Sequence, residues 1–174
     1  PGYYVTALLY IPADLNGRKA PGILYCSGHT DVGFRSETYQ HICQNLVKKG
    51  FVVLAFDPIG QGERYQYYVP EKRQQKFSNP TEPHNYAGAQ CFISGQSIAN
   101  YFIWDGIRGI DYLGGRKEVD PGRIGVTGRS GGGTQSAYIA AFDDRVKAVS
   151  IENYITNYET LLKSRTIQDC EQNF

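Results

Sequence analysis

Residues 123–141 read RIGVTGRSGGGTQSAYIAA. Two apolar strand-like positions, Ile124 and Val126, lead into a glycine-dense turn, and a run of small residues with helical character leads out of it. The turn contains Gly128-Arg129-Ser130-Gly131-Gly132, a G-x-S-x-G pattern. Where a strand turns abruptly into a helix at such a serine, the backbone is strained and the hydroxyl is pushed out beyond the sheet edge. Strand and helix then cross closely, so the positions two before and two after the serine must be small. Gly128 and Gly132 meet that demand. Five residues of this kind occur often by chance, so the flanking chain has to supply the strand, the helix and the sheet.

Working outward, the chain does so. Tyr3–Ile11 is rich in aromatic and β-branched residues and stops at Pro12, which predicts a strand. Ile23–Ser27 and Phe51–Phe56 are short, continuously apolar runs of the kind buried on both faces of a parallel sheet. Between them, Tyr39, Ile42, Cys43, Leu46 and Val47 share one face of a helix that Ser36 can cap and Gly50 closes. A second helix is predicted from Ser97 to Leu113 with Ile103, Ile107 and Ile110 as its stripe, and Val119-Asp-Pro-Gly122 turns the chain into the Ile124 strand. Val146–Ile151 reads as another strand and Tyr158–Lys163 as a short helix. Residues 63–94 are polar, basic and tyrosine-rich, with Pro70, Pro80 and Pro83. They are longer than a structureless loop in a compact domain usually is, and are read as an excursion: a lid, an oligomer contact or a mobile surface loop. Strands alternating with helices give an α/β domain with a largely parallel sheet. The loops after Ser27, Phe56 and Thr127 then meet at the carboxyl edge of the strands, where such sheets keep their reactive groups.

The totals exclude several classes. A net charge of +1 over 174 residues points to no nucleic-acid partner, and no apolar run is long enough to span a bilayer. Cys26, Cys43, Cys91 and Cys170 form no C-x-x-C pair and no cluster with histidine. Cys26 and Cys43 fall on core positions, and a Cys91–Cys170 disulfide is left open. No metal and no cofactor is expected. The stretch VTGRSGGG has the look of a dinucleotide-binding turn, but T-G-x-x-x-G-x-G fails at Thr134 and G-x-G-x-x-G is absent there. The chain has no methionine and opens inside a strand-like pattern, so it is expected to be a piece of a longer protein.

Read as chemistry, Ser130 is the candidate nucleophile toward a carbonyl carbon. The oxyanion so formed needs preorganised donors: the backbone N–H of Gly131, at a helix start, and that of His29, after the Ile23–Ser27 strand. The His29 side chain lies on the oxyanion side and is not expected to be the base. His41 belongs to a helix face, and His84 is read as a solvated loop residue. In a sheet of this kind the acid and then the histidine follow the serine in sequence, yet no histidine follows Ser130. Glu152 is a candidate acid, with a solvated carboxylate as its plainer reading. Asp143 and Asp144 look like a helix-end turn, and Asp169 lies too near the end of the chain to assign.

The blocks GRSGGGTQ, AFDDRVKAVS, PGILYCSGH and FDPIGQGER, with SIANYFIWDGIRGIDYLGGRKEVDPGRIG before the turn, resemble the α/β-hydrolase superfamily. Within it they are most similar to bacterial acetylxylan esterase and cephalosporin-C deacetylase-like serine esterases. The resemblance implies an α/β-hydrolase fold, represented by its N-terminal part, with helices on both faces of the sheet and the last strands missing. It implies Ser130 as nucleophile, Gly131 and His29 as oxyanion donors, and an Asp and a His beyond Phe174. It further implies a small-molecule or carbohydrate ester as substrate, removal of acetyl or similar groups, and a bacterial periplasmic or secreted location. A homo-oligomer, a peptidase on the same fold and a noncatalytic binding lobe stay open as alternatives. The tyrosines at 65, 67, 68 and 86 suit a sugar site or ordinary packing equally.

Overall fold

The computed structural model describes residues 2–164 and 169–172. Its main sheet has five strands: β1 (Ala7–Tyr10), β2 (Ala20–Cys26), β3 (Val52–Phe56), and then, after a small hairpin of β4 (Tyr68–Val69) and β5 (Gln74–Gln75), β6 (Val119–Arg129) and β7 (Val146–Glu152). The spatial order is β1-β3-β2-β6-β7, with β1 antiparallel to β3 and all other pairings parallel. Five helices accompany them: α1 (Glu37–Lys48), α2 (Glu82–Ile93), α3 (Ala99–Gly114), α4 (Gly131–Phe142) and α5 (Tyr158–Lys163). The expected largely parallel α/β sheet is present.

The pleat explains why β2 and β3 read as unbroken apolar runs. Leu24, Cys26, Leu54, Phe56 and Val126 pack on one face with Ile110 and Leu113 of α3 and Ile139 of α4. Tyr25, Val53 and Ala55 alternate with them and pack on the other face with Tyr39 and Cys43 of α1. Both faces are covered, so neither strand has a position for a polar residue. The register sets Leu24 between Leu54 and Val126, and Cys26 between Phe56 and Gly128. That carries the ends of β2, β3 and β6 to one edge. β6 begins earlier than the sequence suggested, because Val119 and Asp120 pair with Ala20 and Pro21 before a register shift brings Ile124 opposite Gly22.

Residues 63–94 differ most from expectation. They hold the β4–β5 hairpin and all of α2. Pro83 falls in the first turn of α2, where its missing N–H costs nothing. The residues α2 buries are Pro83, His84 and Gly88, so it shows no apolar stripe. Tyr67, Phe77 and Tyr86 stack on one another with ring centroids 5.0–5.8 Å apart, which assigns two of the four tyrosines to packing.

At the far end of α4, Asp143 accepts from the Arg145 guanidinium at 2.8 and 2.6 Å and from its backbone N–H at 3.1 Å. The Arg145 hydrogen bonds hold the Asp143 carboxyl below its ordinary value of 3.8. A carboxyl depressed by folding stabilises the fold above that ordinary value and loses its contribution as pH falls through the folded one. Asp143→Asn is therefore expected to cost about 1 kcal/mol at pH 7, a figure kept low because Arg145 is half exposed. The difference should close in strong acid, and thermal unfolding of both proteins between pH 2 and 7 checks it. Among the described residues, no helix is long and apolar enough to cross a membrane.

Candidate active site

β6 ends at Arg129 and α4 begins at Gly131, leaving Ser130 alone in the turn with φ 57° and ψ −123°. A side chain is strained in that region of backbone space, which glycine ordinarily occupies. The strain is held by the surroundings. The Ser130 N–H donates to the Glu152 carbonyl at 2.9 Å, continuing the β6–β7 ladder one residue past the strand. A Cβ on Gly132 would lie 2.0 Å from the Cys26 carbonyl oxygen, and one on Gly128 would lie 2.4 Å from the same atom. The close crossing read from the sequence is thus present. Ser130 is exposed and lines a cavity of about 360 Å³ together with His29, Thr30, Ser36, Thr38, Tyr39, Arg129 and Asn153. Ser36 stands at the start of α1 but makes no side-chain cap bond; it faces this cavity instead. The cavity between β1 and α3, lined by Val5, Leu9 and Tyr112 among others, shares no residue with it.

The loops around the serine are fastened by the FDPIGQGER block, whose role sequence reasoning missed. Asp57 is fully buried, and its carboxylate accepts from the Thr6 hydroxyl at 2.6 Å and from the N–H groups of Phe34 and Glu63, both at 3.1 Å. Gly33 and Gly62, at φ +56° and +59°, come so close to that carboxylate that a Cβ on either would overlap it. Gln61 donates to the Gly28 carbonyl at 3.0 Å. Arg64 donates to the Asp57 carbonyl at 2.9 Å and to the buried Asp105 carboxylate of α3 at 2.8 Å. The loops after β2 and β3 and the helix α3 are thereby one braced unit, and His29 rides on it.

His29 comes to the edge beside Gly131: a Cβ on that glycine would lie 2.9 Å from His29 Nδ1. Its other nitrogen is committed elsewhere. Nε2 stands 2.8 Å from Asp169 Oδ2 and 3.1 Å from His84 Nδ1. His84 is not the solvated loop histidine the sequence suggested. It is fully buried in α2, stacked edge-on to Phe102 at 5.1 Å, with Nδ1 2.9 Å from Asp169 Oδ2 and Nε2 2.6 Å from the Ile59 carbonyl. Asp169, unassigned from sequence, is the hub of this cluster. Burial alone would raise its carboxyl, but the two imidazoles beside it, His29 and His84, hold it well below the usual range. Glu171, not singled out at all, is buried beside it. Desolvation, opposed by His29 and reinforced by Asp169, pushes its carboxyl up to about 8.

The structure also locates Glu152, the cysteines and His41. Glu152 meets the turn through its main-chain carbonyl, while the residue itself is exposed at the end of β7. All four cysteines are free thiols, so Cys91 and Cys170 form no disulfide; they pack with Ile59, Ile98 and Phe102 instead. His41 is exposed on α1, as read. The hydroxyls of Tyr138 and Tyr158 donate to the Gln172 carbonyl at 3.2 and 3.0 Å and tie the 169–172 segment to α4 and α5.

Comparison with known proteins agrees with this architecture. YtaP of Bacillus subtilis, provisionally assigned as a hydrolase, is 27% identical over 122 residues, which are 70% of this chain and 36% of that protein. A Bacteroides fragilis structure provisionally assigned as an acetyl xylan esterase superposes with a TM-score of 0.69 at 20% identity, covering 86% of this chain and 41% of the other. The acetyl xylan esterase from Paenibacillus sp. R4 superposes with a TM-score of 0.62 at 19% identity, covering 94% and 49%. The chain spans about a third of the length of the curated relatives it matches. The dienelactone hydrolase profile matches residues 5–167. With the parallel sheet, the strained serine turn and this match together, the chain belongs to the dienelactone hydrolase family of α/β hydrolases.

Proposed function

We propose that the protein is a serine carboxylesterase in which Ser130 is the nucleophile. The observation that carries this reading is the Ser130 backbone at φ 57°, ψ −123°, between a strand and a helix, with its side chain exposed to the cavity that His29 also lines. Attack by the hydroxyl oxygen on an ester carbonyl converts the carbonyl oxygen to an oxyanion. Gly131 is the first residue of α4, and the leading N–H groups of a helix have no intrahelical acceptor. Its N–H, with that of His29, is suited to receive that oxyanion, each donor being worth on the order of 100- to 1000-fold in turnover. The His29 imidazole is tied to Asp169 and His84, which favours a main-chain role for this residue. The general base and its acid partner belong, on this proposal, to a part of the full-length protein outside this chain. Glu152 is not favoured as the acid, because the contact it makes with the turn is through its main-chain carbonyl and the residue is exposed.

Similarity to acetyl xylan esterases and the exposed Tyr65 and Tyr68 support acetylated carbohydrate as the substrate class. The noncatalytic reading keeps one observation in its favour: among the described residues, no histidine hydrogen-bonds Ser130. Treating the full-length protein with a fluorophosphonate probe and locating the adduct by mass spectrometry decides between them. A single adduct on Ser130 is the expected result. Labelling elsewhere would overturn the nucleophile assignment, and no labelling would favour a binding lobe. Hydrolysis of acetylated xylan set against a peptide amide then separates esterase from peptidase.

A further inference from the structure

The side chains of His29, His84, Asp169 and Glu171 each place one ligand-type atom within 4.8 Å of all the others. Proton accounting shows what that centre lacks. The Ile59 carbonyl can only accept, so His84 Nε2 carries its proton and donates there at 2.6 Å. A neutral His84 then turns the lone pair of Nδ1 toward Asp169 Oδ2 at 2.9 Å and His29 Nε2 at 3.1 Å. The centre calls for positive charge. One proton between His84 and Asp169 could supply it, but it would not serve Glu171. That carboxyl group is 2% exposed, and its Oε1 has no hydrogen-bond partner, so it would give up its proton only to a cation placed beside it. Glu171 lies 3.8 Å from His29 Nε2 and, through its other oxygen, 3.8 Å from His84 Nδ1. Both are too far for a hydrogen bond and close enough to share a metal ion.

The geometry points to a divalent transition-metal site, of the zinc class, with His29 Nε2, His84 Nδ1, Asp169 Oδ2 and a Glu171 carboxylate oxygen as its four ligands. Zinc–nitrogen and zinc–oxygen bonds of about 2.0–2.2 Å in a tetrahedron put neighbouring ligand atoms about 3.4 Å apart. The separations among His29 Nε2, His84 Nδ1 and Asp169 Oδ2 are 2.8, 2.9 and 3.1 Å, a little inside that edge, and Glu171 approaches the two histidines at 3.8 Å, through one oxygen each, a little outside it. Two imidazoles and two carboxylates suit zinc and make a divalent site electrically neutral. The Nε2–H of His84 on the Ile59 carbonyl is the outer-shell bond that metal-bound histidines ordinarily make, fixing the tautomer that frees Nδ1. Four protein ligands, three of them buried, describe a closed structural site rather than one that opens to substrate. Its effect would be mechanical. A Cβ on Gly131 would lie 2.5 Å from Glu171 Oε1 and 2.7 Å from His29 Cε1, so the metal would sit directly behind the first turn of α4 and fix the main chain of His29.

The test is metal binding by the full-length protein after treatment with a chelator, read by elemental analysis, by zinc titration and by the visible spectrum of the cobalt(II) form. The expected result is one zinc per chain and the intense absorption of tetrahedral cobalt. Glu171→Gln and His84→Gln should each weaken zinc by at least about tenfold, while His41→Gln, on the exposed face of α1, should not change it. Should His84→Gln fail to fold, Asp169→Asn takes its place beside Glu171→Gln. Substoichiometric zinc, a cobalt spectrum like that of the hydrated ion, or equal affinity in wild type and Glu171→Gln would each overturn the site and leave a proton-bridged cluster. None of these readouts depends on ester hydrolysis, so the site and the proposed activity stand or fall separately.

Discussion

Replacing Ser130 by glycine is expected to abolish ester hydrolysis and, at the same time, to make the folded protein more stable. Removing the nucleophile of a serine hydrolase costs on the order of 10⁵- to 10⁶-fold in turnover, and that loss should be common to Ser130→Gly and Ser130→Ala. Stability separates the two. The φ of 57° and ψ of −123° strain any residue with a side chain, at about 1–3 kcal/mol. Alanine keeps that strain, so Ser130→Ala should unfold at nearly the wild-type denaturant concentration. Glycine releases it and gives back about 0.5–1 kcal/mol through the greater freedom of the unfolded chain, leaving a net gain of about 1 kcal/mol. Urea unfolding and p-nitrophenyl acetate hydrolysis by the full-length proteins measure both effects. Wild-type hydrolysis in Ser130→Ala would remove the serine mechanism. Equal stability of the glycine and alanine variants would mean that the turn is not strained.

Gly132→Ala should be far more damaging to the fold than a single methyl group suggests. The added carbon would lie 2.0 Å from the Cys26 carbonyl oxygen, 2.7 Å from its carbon and 2.9 Å from the Ser27 carbonyl carbon. These are backbone atoms at the end of β2, where Cys26 is paired to Phe56 on one side and Gly128 on the other. No side chain can swing away, so either α4 or the centre of the sheet must move. Overpacking of a core usually costs about 1–3 kcal/mol, and a clash between two backbones belongs at or beyond the top of that range. The expected outcome is little soluble protein, or a urea midpoint lowered by the equivalent of about 3 kcal/mol. Gly114→Ala, where the new carbon meets only Ile124 Cδ1 at 3.9 Å, is the control and should be tolerated. If both variants unfold alike, the close crossing of α4 over β2 is not what fixes this glycine.

How much of this was legible in the sequence depended on what each residue buries. Ile23–Ser27 and Phe51–Phe56 announced themselves because both faces of their strands are covered, which demands apolar residues at every position. The serine turn was legible because its geometry restricts the flanking positions to glycine. α2 was not, since the residues it buries are a proline, a histidine and a glycine, chosen for contacts with Ile59 and Cys170 rather than for apolar area. For the same reason His84 read as solvated. Asp57, Arg64 and Asp105 carry no local pattern either: each is explained only by a partner on another element. The tyrosines of 63–94 were ambiguous because an aromatic ring packs on its neighbours as readily as it lines a groove.

The cluster around Asp169 also bears on the order in which the molecule assembles. The contact of His29 with His84 spans 55 residues of chain, and that of His84 with Asp169 spans 85. Closing loops of that length costs entropy before any contact returns it, whereas the shorter β–α–β units can form first. His29 and Asp169 stand further apart in sequence than any pair of residues matched across the main sheet, so these four side chains should be among the last to meet, with φ-values near zero in a kinetic mutant series. Interactions absent from the transition state act on the unfolding rate. On that expectation the side-chain cluster behind the serine turn governs how long the native state lasts once formed, and leaves the speed of reaching it almost untouched.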